Sequence, residues 1–487
     1  MFTRRGGLPL PPGPRPLPFL GNVLDMPRKH EWKTFTRWRE VYGDVTYVTI
    51  FGRPMVFLSS AEAASDLLDK RSARYSDRPS FPLTDLIGHN EFNFGFMPYG
   101  KRWQASRRLF ARRFGKNALP ESHDAHRAAV GVLLSNLLDK PDEFPSHLRL
   151  HSGQLIMDVV YGITVKNRQD KWVQTAEDVM ETIAMAVSPV MWVVNPVPLL
   201  QLLPRWLGGK NFAEQLGRWR SDVHKLQHVP FESVKASVAH GDARPSFTST
   251  MLQDLGSDSG DEQESLIRDC AAIAYGGASD TTVSSATIFI LAMLINRGAQ
   301  QAAQDEIDRL VGPHRLPDFS DRAQLPYVTA IMKEVLRWHP PAPQGIPHLV
   351  ADDDVYRGYC IPAGSMVVGC VWSILHDPAV YPNPSAFMPE RYIVDGHLDF
   401  SANDPSRYAF GFGRRICPGK DFAEDALWLL IARLLAVYHF ETAEAGVPDV
   451  SEFSSGALSH PPPFSCSIKP RSESYVKLVL ALETGDT

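Results

Sequence analysis

The chain reads as a mainly α-helical protein with a minor β-sheet, folded as a single domain. Three observations predict this: helical spacing of apolar residues over most of the length, two short alternating clusters, and no internal repeat or low-complexity tract. Segments 101–115, 124–138, 146–163, 262–296, 297–310, 325–338 and 420–437 have the helical period and no proline past the first turn. Segments 45–50 and 55–58 alternate and join through Gly52 and Pro54, which predicts two strands of a small sheet near the N-terminus. Residues 355–371 and 464–482 read as further short strands. Residues 11–22, Pro-Pro-Gly-Pro-Arg-Pro-Leu-Pro-Phe-Leu-Gly-Asn, are too rich in proline for a helix or a central strand. They make 1–22 a stiff lead-in to a single domain over 23–487. The Ser/Gly/Asp-rich stretch 256–262 reads as a surface loop.

The 487 residues are 44% apolar and 22% charged with a net charge of -5, a composition that excludes disorder and collagen and permits a large core. The slightly acidic total gives no support for a nucleic-acid partner. Five cysteines, Cys270, Cys360, Cys370, Cys417 and Cys466, lie far apart with no C-x-x-C pair, so neither a disulfide framework nor a zinc site is expected. The N-terminal Met-Phe-Thr-Arg-Arg-Gly-Gly has no apolar stretch behind it, so the chain as given is expected to carry neither a signal peptide nor a transmembrane helix. Residues 182–204 are apolar and uncharged but interrupted by Pro189, Pro196, Pro198 and Pro204. Two readings remain: a membrane-dipping loop, which would give peripheral membrane contact, or an ordinary core segment.

The sharpest chemical signal is Phe410-Gly-Phe-Gly-Arg-Arg415-Ile-Cys417-Pro-Gly419, a glycine-spaced loop that delivers one cysteine to the start of an apolar helix. Gly411, Gly413 and Gly419 permit tight turns that aim amide N–H groups at sulfur, and the positive end of the following helix is expected to lower the thiol pKa. A Cys417 thiolate is suited to haem iron, where it favours O–O cleavage, and Arg415 is placed to pair with a propionate. Within the long helical segment, Gly276 and Gly277 cost about 1 kcal/mol each against alanine, which a gap for a ligand explains. Asp280 and Thr281 follow directly.

The cysteine loop resembles the haem-binding signature F-x-x-G-x-R-x-C-x-G of the cytochrome P-450 superfamily and matches every defined position. Glu334-Val-Leu-Arg337 and Phe387-Met-Pro-Glu-Arg391-Tyr resemble two further motifs in the same order. The resemblance implies a Glu334, Arg337 and Arg391 network bracing the fold, with haem b between the long central helix and the helix after the cysteine loop. Gly277-Ala-Ser-Asp280-Thr281-Thr282 resembles the family's A-G-x-D-T-T oxygen groove with the small residues interchanged, which makes Asp280 and Thr281 the expected proton relay. Trp103 and Arg107 resemble a W-x-x-x-R pair that reaches the propionates, and His348 and Phe410 also take haem-contacting places. The likeness runs over almost the whole chain and is greatest to microsomal-type enzymes of fungal secondary metabolism.

The resemblance implies a monooxygenase that takes O2, a small apolar organic substrate, and electrons from NADPH through a flavoprotein reductase. It also implies the cytosolic face of the endoplasmic reticulum where a membrane anchor precedes such a chain. Lys101, Arg102, Arg107, Arg108, Arg112, Arg113 and Lys116 occur with no acid among them, an expected docking face for an acidic reductase. Residues 81–99, 273–277, 344–346, 454–459 and the run after Thr182 are expected to line an apolar pocket. Two alternatives keep the haem: a rearranging or dehydrating enzyme that does not use O2, and a non-catalytic haem-binding protein. Both leave Asp280 and Thr281 with less purpose.

Overall fold

Asp261–Ile295 forms a central helix against which the rest of the chain is arranged in the computed structural model, which describes residues 7–187, 209–255, 260–399, 404–443, 446 and 449–484. Asp261, Glu262 and Glu264 occupy its first turn, where carboxylates oppose the positive end of the helix. Helices Lys101–Phe114, Phe144–Tyr161, Lys171–Ala186, Gly209–His240 and Lys420–Val437 all pack on it, so it needs no polar face. That burial, not a bilayer, accounts for a helix apolar and long enough to cross a membrane.

Lys420–Val437 is buried along nearly its whole length, and its polar exceptions are paired. Asp425 accepts from Arg322 at 2.6 Å, and Arg433 donates to the carbonyls of Pro317 and Arg127. Helix Pro326–Trp338 begins with proline at its first position, and the Glu306 carboxylate accepts from the Tyr327 and Val328 amides. On this helix Glu334 and Arg337 are both fully buried and bonded through two 2.8 Å contacts. Arg391 Nε, Tyr392 Oη and the Met388 amide also donate to Glu334, while Arg337 reaches the carbonyls of Leu375, Pro384 and Ala386. The three residues thus join the helix to the segment 375–392. Removing one member of such a buried ionic cluster costs ~3–5 kcal/mol, whereas a surface pair contributes ~1 kcal/mol or less.

Strands Val45–Ile50 and Arg53–Leu58 pair antiparallel, Met366–Gly369 runs parallel to the second, and His348–Leu349 closes the four-stranded sheet. The helical segments expected from periodicity are all present within a residue or two. Glu31–Tyr42, Lys171–Ala186 and Gly209–His240 are helices that periodicity did not single out. At the C-terminus the expectation of strands over 464–482 is half wrong. Cys466–Pro470 is a strand, but Glu473–Thr484 is a helix packed on His123–Asp139. Its Val/Leu-dense sequence alternates well enough to read as a strand, and tertiary packing decides otherwise. Of the apolar run 182–204, Thr182–Ala186 ends a helix, while 188–204 lies outside the described residues, as does 256–259 of the expected loop.

Candidate functional site

The loop before Lys420–Val437 turns where its glycines permit. Gly411 and Gly413 have φ of +83° and +52°, and a Cβ on Gly413 would sit 2.1 Å from the Leu68 carbonyl oxygen. The Cys417 amide donates to the Phe410 carbonyl at 2.7 Å and closes the loop. Gly419, at φ -98°, needs no left-handed conformation, but its backbone bonds toward the thiol. Cys417 is surrounded by protein and yet remains accessible, so open space adjoins the residue. Burial pushes the thiol pKa up, and the Gly419 contact and the Arg107 charge do not overcome it. This direction runs against the expected lowering, and a bound cationic metal favours the thiolate.

Beside the loop lies a group of buried cations. Arg415 donates to the carbonyls of Ser76, Phe94 and Met97, at 2.6, 3.0 and 2.8 Å. Its guanidinium carbon is 4.8 Å from the Trp103 ring centroid. Arg78, absent from the sequence-derived candidates, donates to Gly95, Ile346 and Pro347 carbonyls. Each guanidinium thus makes three hydrogen bonds to neutral acceptors, and Asp77 acts on both through its charge. Arg107 turns inward from its helix and donates to the Ile416 carbonyl at 2.7 Å, bracing the residue before the cysteine. His348 Nδ1 lies 2.7 Å from the Tyr75 carbonyl, so Nδ1 carries the proton.

Burial and neighbouring cations depress these groups, Arg415 acting on Arg78 and Arg107 acting on Arg415. Burial and then Arg415 bring Arg78 well below its ordinary value, and burial takes Arg415 down to about 10 although Asp77 opposes. Burial, Arg78 and Arg415 hold His348 neutral. An uncompensated buried cation is costly, and two carboxylates presented together would relieve the cost. Haem fits this arrangement, with an accessible thiol for the iron and a cationic cluster for the propionates.

On the central helix Gly277 is exposed, and a Cβ added there would meet nothing within 4 Å, whereas one on Gly276 would touch Met180. The helix therefore borders open space at Gly277. Thr281 Oγ1 donates to the Gly277 carbonyl at 2.9 Å. Asp280 lies next to it with its oxygens divided: Oδ2 is 3.0 Å from His460 Nε2 and Oδ1 is 3.6 Å from an Arg149 nitrogen. Burial alone would raise the carboxyl pKa, but the His460 bond and the charges of His460 and Arg149 more than reverse it, so Asp280 is held as carboxylate. His460 and Arg149 were not among the candidates, since both belong to segments with no motif.

On the basic helix Lys101, Arg108 and Arg112 are exposed, as is Lys116 just beyond it. Arg102 is paired with Asp269 and Arg113 with Glu121, and Arg107 serves the cysteine loop, so the expected basic face is smaller than its seven residues. Of the expected pocket segments, 455–458 borders a cavity of about 310 Å³ together with Arg28, Glu31 and Met185. Phe81, Phe92 and Phe94 instead lie in the core.

A sequence profile for the family described as Cytochrome P450 matches residues 11–468. Cytochrome P450 monooxygenase ARMGADRAFT_974139 of Armillaria gallica is 38% identical over 98% of this chain and 95% of its own length. Cytochrome P450 monooxygenase claR of Ampulloclitocybe clavipes is 39% identical over 96% of this chain and 88% of its own length. A tryptamine 4-monooxygenase of Psilocybe cyanescens is 37% identical over 96% and 94% respectively.

Proposed function

The chain belongs to the cytochrome P450 family and is a haem-thiolate monooxygenase, and on that premise we propose that it hydroxylates or epoxidises a small, largely apolar organic molecule of fungal secondary metabolism. The observation that carries the reading is the Cys417 thiol, enclosed yet accessible, beside the buried cations Arg78 and Arg415, whose side-chain hydrogen bonds go to neutral carbonyls. Cys417 is the proposed axial ligand. Trp103, Arg107, Arg415 and the previously unsuspected Arg78 hold haem b through its propionates, His348 joins them through Nε2 once a propionate charge favours its imidazolium, and Phe410 supports the cysteine loop. Bound there, the haem supplies the iron chemistry that activates dioxygen, and a sulfur ligand favours O–O cleavage.

The remaining work falls to side chains. Gly277 leaves open space beside the central helix, and Thr281 Oγ1, bonded to the Gly277 carbonyl, would hold a proton at the edge of that space. Asp280, kept ionised, accepts protons from the solvent side and returns them toward Thr281. The substrate enters past 455–458, and a relative named for tryptamine shows that molecules of that size are handled within the family. Electrons from NADPH arrive through a flavoprotein reductase docked on Lys101, Arg108, Arg112 and Lys116. Phe19 on the lead-in and Leu24 just after it, 97% and 73% exposed, support peripheral contact with the endoplasmic reticulum on its cytosolic face.

Oxygen-18 gas tests the reading. Turnover with reductase and NADPH is expected to place one labelled atom in the product. An unlabelled, rearranged or dehydrated product would favour an enzyme that does not use O2.

A further inference from the structure

Residues 454–460 form a loop closed on itself and fastened at one end to the central helix. The Ser454 amide donates to the His460 carbonyl and the His460 amide to Ser454 Oγ, both at 2.8 Å. The Ser459 amide donates to the Pro341 carbonyl, and Ser284 Oγ donates from the central helix to the Ser459 carbonyl at 2.7 Å. These bonds leave His460 little freedom to choose its neighbour. Its Nε2 rests 3.0 Å from Asp280 Oδ2, while the tip of the same loop, 455–458, borders the entrance cavity.

We propose that His460 is the positioning residue of Asp280 and the group from which that carboxylate is reprotonated, so that proton supply depends on how the entrance loop is seated. The proposal rests on the monooxygenase reading and adds to it a residue 180 positions from the acid. In the step, the Nε2–H bond of a His460 imidazolium breaks and an O–H bond forms at Asp280 Oδ2. A neutral imidazole and a protonated carboxyl result, with no change in total charge. His460, its side chain 26% exposed, regains a proton from water.

The other charged groups facing the pair do not replace it. Arg149 approaches Oδ1 at 3.6 Å, longer than the His460 contact, and it is shared with Glu177 at 3.4 Å. Glu177 faces Arg149, not Asp280. His339 approaches His460 only through Ser459, whose hydroxyl lies 2.9 Å from His339 Nε2, and burial holds His339 neutral. His460 is the imidazole in direct contact with the acid, and imidazole is the side chain suited to exchange protons near neutral pH.

The test compares His460→Gln, which keeps an N–H donor but cannot titrate, with His460→Ala, both in the haem-loaded enzyme with reductase. Product formed per NADPH is measured from pH 6 to 9. The expected result is a wild-type coupling that falls with rising pH, and a His460→Gln coupling that is flat and lower by about tenfold at the acidic end. A second readout needs no turnover: the imidazole signal lost from the NMR spectrum in His460→Gln is followed against pH in the carbon monoxide form of the otherwise wild-type protein. In Asp280→Asn that signal is expected to shift, because Nε2 loses its carboxylate partner. An unmoved signal, or His460→Gln coupling equal to wild type at every pH, overturns the proposal and leaves the monooxygenase reading standing. A wild-type enzyme that incorporates no oxygen-18 overturns both.

Discussion

The Arg415 guanidinium lies over the Trp103 indole, 4.8 Å from the ring centroid, and so joins the basic helix to the cysteine loop two residues before Cys417. The contact satisfies the flat face of the cation but not its charge. Arg415 and Arg78 share that deficit, because every acceptor they reach is a neutral carbonyl.

Arg78→Met is therefore expected to weaken haem retention. A lost charge-assisted bond contributes ~1.5–3 kcal/mol, or roughly 10- to 100-fold in dissociation. Transfer of haem to an apo-globin acceptor measures the rate. A variant that releases haem as slowly as wild type would show that Arg78 balances some other group.

Gly277→Ala separates stability from function. The added methyl meets no atom, so the helix is expected to gain up to ~1 kcal/mol in urea denaturation of the haem-free protein. The same methyl enters the open space, and substrate-induced spectral shifts and turnover are expected to fall. Equal gains in stability and activity would mean that the space at Gly277 is not the reaction chamber.

Charge reversal at Arg108 and Arg112 tests the reductase face, since both are exposed and the neighbouring Arg102 and Arg113 are already paired. The double glutamate variant is expected to raise the reductase concentration needed for half-maximal turnover and to flatten its salt dependence. Unchanged salt dependence would place the donor elsewhere.

His126 and His151 give the protein an acid limb. Burial takes both imidazoles from 6.5 down to about 4. The unfolded chain binds their protons first as pH falls, so the stabilisation is complete above about 6.5 and is lost toward about 4, at up to ~1.4 kcal/mol per pH unit for each histidine. His151→Leu is expected to shrink the loss between pH 7 and 5 measured by urea denaturation. The same slope in the variant would assign the acid limb to other groups.

Much of this was legible in the sequence because it rests on local rules. Helical spacing located the central helix, and the Gly-spaced cysteine followed by an apolar run marked the loop. Arg78, His460 and Arg149 were not legible, because Arg78 and His460 are single residues in loops and Arg149 is one polar position of a helix, and each acquires meaning only from what folding brings beside it. The Cys417 pKa went the other way for a related reason. The Gly419 backbone and the Arg107 charge act as expected, but desolvation by the surrounding chain exceeds them. The C-terminal helix Glu473–Thr484 shows the limit of alternation: Leu482 packs toward Gly131, 3.4 Å from where a Cβ would stand, a contact that no local pattern encodes.

The most direct test of Cys417 as the haem ligand is the absorption spectrum of the reduced protein under carbon monoxide. The expected result is the strongly red-shifted Soret band of sulfur-anion ligation, lost in Cys417→His even where haem is retained. A wild-type spectrum without that band, or a Cys417→His spectrum that keeps it, would contradict the assignment.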